Sequence, residues 1–152
     1  MIVGVIGGSK ATKEVLDIAY NLGKEIALRR YYLICGGMSG VMEAVCKGAK
    51  EYGGTTIGIL PGRNKTEANQ YIDIPIVTAM HHARNAIIVR TADILVAIDG
   101  KFGTLSEIAL GLACEKRIIG INTWDIKEIV HVNSVAQAIK LVEEYARNNS
   151  KS

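Results

Sequence analysis

Apolar residues along this 152-residue chain fall into short unbroken runs, separated by longer stretches in which they recur every three or four positions. The runs are Ile2 to Ile6, Tyr32 to Cys35, Thr55 to Leu60, Asp93 to Ile98 and Arg117 to Ile121. Continuous apolarity without strict alternation is the pattern of a strand covered on both faces. Between the runs, Val15, Ala19, Leu22 and Ile26 mark one face of a helix, with Lys13, Glu14, Lys24 and Glu25 facing water. Arg29-Arg30 close that helix at its negative dipole end. Val41, Met42, Val45 and Ala49 predict a second helix, and Leu105, Ile108, Ala109, Leu112 and Ala113 another. Met80 to Arg90 also reads as helical. Ser134-Val135-Ala136-Gln137 has capping-box spacing and starts a last helix carrying Val135, Ala138, Ile139, Val142 and Tyr145. Ile74-Pro75-Ile76-Val77 is a short extended piece that its proline confines to an edge or a loop. The polar stretch from Arg63 to Tyr71 reads as a mobile flap, and Asn148 to Ser152 as a frayed tail.

Strand and helix alternate throughout, which predicts a Rossmann-like α/β fold: a doubly wound, mostly parallel sheet with helices on both faces, in three layers. The expectation is one domain spanning residues 1–152, with the five main strands in the order 3-2-1-4-5. In that order the first and fourth strands are neighbours, and the winding reverses between them. The loops after these strands, Gly7-Gly8-Ser9 and Asp99 to Thr104, therefore flank the crevice where such sheets bind ligands. Gly36 to Gly40 lies on the same carboxyl edge.

Three glycine turns on one edge bring bare backbone near an anion, and a helix start adds its positive dipole end. The candidate phosphate cradle is Gly7, Gly8, Ser9, Gly36, Gly37, Gly40, Gly100, Lys101, Gly103 and Thr104. Two common nucleotide sites are absent: there is no GxxxxGK[ST]. No acidic residue ends the second strand, at Ile34-Cys35-Gly36-Gly37, to hold a dinucleotide ribose. Arg84 offers a guanidinium fork suited to phosphate, although an exposed helix arginine is the commoner outcome. Glu107 stands in the first turn of a helix, where a carboxylate can act on whatever the anion carries. Thr104-Leu105-Ser106-Glu107 is also a capping box by spacing, so the residue has a structural role open to it as well. His81-His82 are adjacent and share no helix face, so no metal site is expected there.

Composition narrows the partners. A net charge of +3, with no basic run interleaved with aromatics, argues against nucleic acid. The longest apolar segments, about six residues, are far short of the ~20 that span a bilayer. Met1-Ile2-Val3 leads directly into a strand, so no signal peptide is expected. Cys35, Cys46 and Cys114 read as small buried residues in a reducing cytoplasm.

Four motifs occur in order: Gly7-Gly8-Ser9; Gly36-Gly37-x-x-Gly40-Val41-Met42; Met80-x-x-x-Arg84-Asn85; and Gly100-x-x-Gly103-Thr104-x-x-Glu107. Together they resemble the LONELY GUY superfamily of Rossmann-like proteins over roughly residues 1 to 125. The short chain and the Arg-Asn pair are most similar to the branch that includes molybdenum cofactor carriers. For the enzymes of the family, the resemblance implies hydrolysis of nucleoside 5′-monophosphates to free base and ribose 5-phosphate, with no cofactor. It implies catalytic roles for Arg84 and Glu107, with Met80 and Asn85 beside the ligand. For the carrier branch it implies a molybdenum cofactor held without turnover, and for both a homodimer or larger assembly. The "possible lysine decarboxylase" label attached to many members finds no support, since no lysine here is marked as a pyridoxal anchor. The family's PGGxGT motif stands here as Asp99-Gly100-Lys101-Phe102-Gly103-Thr104, and its Arg-Lys as Arg84-Asn85. Asp99 repels a phosphate placed next to it and Lys101 attracts one.

Overall fold

The computed structural model describes residues 1–149, and residues 150–152 of the expected tail lie outside them. Seven strands form one sheet: β1 (Ile2–Gly7), β2 (Tyr32–Cys35), β3 (Thr56–Leu60), β4 (Ile74–Val77), β5 (Ile94–Ile98), β6 (Ile118–Ile121) and β7 (Val130–Val132). Five α-helices accompany them: α1 (Lys13–Leu28), α2 (Val41–Glu51), α3 (Asn85–Thr91), α4 (Phe102–Ala113) and α5 (Val135–Asn149). Asn148 and Asn149, expected as frayed tail, continue α5.

The sheet order is β4-β3-β2-β1-β5-β6-β7, and every pairing is parallel. The five strands legible as apolar runs keep the predicted order. Two short strands extend its edges, Pro75 lying on one of them. The chain winds outward from β1 to β4, then returns to place β5 against β1, with Val3 opposite Ile94 and Gly7 opposite Ile98. That return is the switch point.

Side chains alternate across each strand and divide the core in two. Ile94, Val96 and Ile98 of β5 join Leu33 and Cys35 of β2 beneath α1, α2 and α5. Leu95 and Ala97 join Ile34, Ile59 and Ile118 beneath α3 and α4. The predicted faces of α1 (Val15, Ala19, Leu22, Ile26) and α2 (Val41, Met42, Val45, Ala49) are all buried in the first of these layers. Ser134 Oγ accepts from Gln137 N at 3.3 Å, and the Gln137 side chain caps Asn133 N at 2.8 Å, so the predicted start of α5 is a capped one.

Two segments differ from expectation. Met80 to Arg90 is not one helix: Ala79 and His81 have φ of 54° and 48°, in the left-handed region. Their N–H groups donate to Gly62 O and Pro61 O, holding a turn. A 3₁₀ turn follows over His81–Arg84, and α3 begins only at Asn85. The Arg63 to Tyr71 stretch is tied down, because Asn69 Nδ2 donates to Met38 O at 2.8 Å and Asn69 N to Gly37 O at 2.9 Å.

Candidate functional site

The loops after β1 and β2 are joined: Val41 N donates to Gly8 O at 3.0 Å and Ser39 Oγ to Ser9 O at 3.1 Å. Across the switch point stands the start of α4. Three helices follow strands β1, β2 and β5 at this edge. Thr12 caps α1 with its side chain, whereas α2 and α4 begin on Gly40 and Lys101 with no side-chain cap. An uncapped helix start leaves backbone N–H donors for an outside acceptor. Between these loops lies a cavity of about 820 Å³, a size typical of small-molecule sites.

Among the residues expected at the site, Gly7, Gly8, Ser9, Gly36, Arg84 and Asn85 line the cavity from one side. Lys101, Gly103, Thr104 and Glu107 line it from the other. Four expected residues do not line it. Gly37 turns away to accept from Asn69, and Gly40 packs behind Gly8. Met80 is exposed outside the cavity, and Gly100 lies beneath Thr104. Gly100 has φ +97°, and a Cβ there would stand 2.1 Å from Thr104 Oγ1, so its role is to make the turn. Asp99 also stays off the cavity wall, and its φ of 49° is closed to proline. The loop here is therefore a different turn from one that starts on proline.

The capping-box reading of Thr104 and Glu107 is not what forms. Helix α4 begins at Phe102, three residues earlier than that reading requires, so Thr104 and Glu107 are both inside it. Spacing of three then puts them on one inward face. Glu107 is 6% exposed. Burial pushes its carboxyl up from 4.5 to about 7, with the neighbouring Arg84 pulling the other way. The pair is close but not bonded: Arg84 Nη1 lies 3.9 Å from Glu107 Oε1.

Arg84 is likewise no surface arginine. Its side chain is 11% exposed, and burial lowers its pKa against the opposing pull of Glu107. Nη1 donates to Asn85 Oδ1 at 2.5 Å, which aims the fork, and Nη2 reaches Gly36 O at 3.5 Å. Gly36 is required for this packing, since a Cβ there would meet Arg84 Nη2 at 2.6 Å. Arg84 Nε is buried with no partner.

Residues not expected at the site complete the walls. Lys10 adds a cation, His81 and His82 stand at one side, and Met38, Ser39, Met42 and Pro61 add mostly apolar surface. The imidazoles were legible only as a His-His pair; their place beside the cavity comes from the turn at His81. Among the described residues, no group of three or more His, Cys, Asp or Glu side chains is placed to hold a metal ion. Cys35 and Cys46 are buried as expected, with Sγ atoms 3.5 Å apart, whereas Cys114 is only partly so.

Fold and cavity define a class: a Rossmann-like α/β protein with a cavity at the switch point of a parallel sheet. The model of the SLOG cluster4 family matches residues 1–149, and the chain belongs to that family. It is 47% identical over 121 residues to an uncharacterized protein of Archaeoglobus fulgidus, covering 80% of each. It superposes on the molybdenum cofactor binding protein of Rippkaea orientalis with a TM-score of 0.90 and 37% identity, covering 94% of this chain and 95% of that one. It is 34% identical over 106 residues to the Arabidopsis thaliana cytokinin riboside 5′-monophosphate phosphoribohydrolase LOG5, covering 67% of this chain. The match takes in 46% of that enzyme, so the chain spans about half the length of this plant relative. The LONELY GUY resemblance read from the motifs, with its leaning toward the cofactor-carrier branch, agrees with these matches.

Proposed function

We propose that the cavity binds the phosphate of a small nucleotide-like or pterin-like ligand, a carried molybdenum cofactor being one such ligand. The observation that carries this is the opening of the uncapped α4 start into the same cavity as Arg84, whose Nε is buried and unpartnered. Lys10, Arg84 and Lys101 set three cations against the single carboxylate of Glu107 around that space. Preformed donors and excess positive charge favour a phosphorylated ligand. Similarity to the molybdenum cofactor binding protein of Rippkaea orientalis supports a carried cofactor, and similarity to the Arabidopsis phosphoribohydrolase supports a nucleoside monophosphate.

A second reading, hydrolysis, rests on Glu107. Cleaving an N-glycosidic bond breaks C1′–N, forms C1′–O from water and delivers a proton to the departing base. Positive charge builds on the ribose as this happens. A buried carboxylate that ionises near pH 7 suits both stabilising that charge and taking the water's proton. Arg84, with Nη1 3.9 Å from that carboxylate, favours its charged form and offers the sugar phosphate a cation on the same wall.

The remaining assignments belong to the same reading. Ile74, Ile76, Val77 and Met80 leave apolar surface exposed on and just after the β4 edge, which supports a homo-oligomer with a second copy covering it. No helix among the described residues is long and apolar enough to cross a membrane. The cytoplasm is the proposed compartment, and nucleic acid is not among the proposed partners.

Incubation with a panel of nucleoside 5′-monophosphates, assayed for free base and ribose 5-phosphate, separates the two readings. Release by the wild type that disappears in Glu107→Gln supports hydrolysis. Binding of a phosphorylated pterin with no release across the panel supports carriage. Failure of every phosphorylated compound to bind overturns the site itself.

A further inference from the structure

Phe102 is the only phenylalanine in the chain, and it is 79% exposed. It opens α4, between Lys101 and Gly103, both of which line the cavity. Its ring is also propped. Trp124, the only tryptophan, lies with its ring centroid 5.9 Å away at an interplanar angle of 36°. Trp124 Nε1 donates to Lys101 O at 3.1 Å, which fixes the indole to the residue that precedes α4. Thr123 Oγ1 donates to Asp99 O at 2.6 Å, so the β6 loop that carries Trp124 is bound to the cradle loop at both ends of its turn. The contact with Trp124 is tilted, and most of the Phe102 ring faces water.

An aromatic side chain left in water gains nothing from burial, and nothing in the folding of α4 requires one at its first position. An aromatic ring beside an anion cradle, backed by a second ring and flanked by a lysine, is the arrangement that takes a flat heteroaromatic group by stacking. We infer that Phe102, held by Trp124, is a stacking surface for the planar ring of the phosphorylated ligand, and that it sets the preference for ring-bearing ligands over simple sugar phosphates. This rests on the phosphate-binding reading given above. It adds that part of the ligand lies on the β6 side of the phosphate, outside the enclosed cavity. Continuity with the cradle is what selects a small ligand as the occupant: the backbone of Phe102 belongs to the phosphate-facing helix start itself.

The test compares two probes, guanosine 5′-monophosphate and ribose 5-phosphate, by calorimetric titration of wild type, Phe102→Ala and Phe102→Tyr. Phe102→Ala should weaken the nucleotide by about 5- to 140-fold, the range of base–aromatic stacking, and leave ribose 5-phosphate within about twofold. Phe102→Tyr, which keeps a flat ring, should retain nucleotide affinity. Quenching of Trp124 fluorescence by the nucleotide and not by ribose 5-phosphate supports the same placement. Equal losses for both probes, or no loss for either, overturn the stacking role while leaving phosphate binding intact. So does a Phe102→Ala protein that changes its sedimentation behaviour without changing its selectivity, because a second copy would then be the partner of this ring. Binding of neither probe by wild type fails the phosphate-binding reading, and the stacking role falls with it.

Discussion

Replacing Glu107 by glutamine should make the protein more stable at pH 8 and leave it unchanged at pH 4. The carboxyl is raised from 4.5 to about 7 by burial, so the folded state resists its ionisation. At about 1.36 kcal/mol per pH unit, that rise makes ionising Glu107 cost about 3 kcal/mol more in the folded chain than in the unfolded one. The sign follows from the direction of the shift. Below pH 4.5 the group is protonated in both states and carries no penalty. As pH climbs toward 7 the unfolded chain sheds the proton first, and the folded state loses stability relative to it. Above about 7 the penalty is complete. Glutamine has nearly the same shape and no proton to lose, so the stability difference between variant and wild type should open between pH 4.5 and 7 and then level off. Urea unfolding followed by Trp124 fluorescence at intervals from pH 4 to 8 measures it. A difference that stays flat across that range, or a wild type more stable than the variant at pH 8, would refute the claim that Glu107 is buried and strained against ionisation.

Other consequences are simpler. Gly100→Ala should destabilise by about 1–3 kcal/mol, because it combines a strained φ with a collision against Thr104; thermal unfolding reads it directly. Asp99→Pro, which restores the family's residue, should do at least as much harm at φ 49°, whereas Asp99→Gly should be tolerated. For Asp73, burial opposes ionisation, but Lys50 Nζ at 2.6 Å and Thr56 N at 2.9 Å outweigh it and hold the carboxyl below its ordinary 3.8. Its contribution is present above that value and is lost as pH falls below it. Asp73→Asn should therefore destabilise by about 1.5–3 kcal/mol at pH 7, as expected for hydrogen bonds to a charged group, with the gap closing below pH 4 in denaturant titrations.

The five central strands were readable because they are buried on both sides and, apart from Tyr32 and Thr56 at the starts of β2 and β3, carry only apolar residues and glycine. Strand β7 escaped: it is three residues long, its Val130 is 39% exposed, and a histidine sits in its middle. The switch-point rule placed the right loops together. It could not rank residues within them, so Gly37, Gly40 and Gly100 looked equivalent to Gly8 and Gly103, although they build the turns behind the cavity. Glu107 shows the limit most clearly. Threonine and glutamate three apart describe a helix cap and an inward helix face equally well, and only the position of the helix start decides between them. Lys10, Met38 and Pro61 come from three separate loops, with no local pattern to announce that they share a wall. Asp99 was read as repelling the ligand because it stands in a phosphate-binding motif. Its left-handed backbone and its place off the cavity wall add a second role, that of holding the turn.

The most direct measurement is a crystal of the protein soaked with ribose 5-phosphate. The phosphate oxygens should lie within about 3 Å of the Gly103 and Thr104 backbone N–H groups, with the sugar directed toward Arg84 and Glu107. A sugar phosphate bound elsewhere on the chain, or one that leaves the start of α4 empty, would contradict the account.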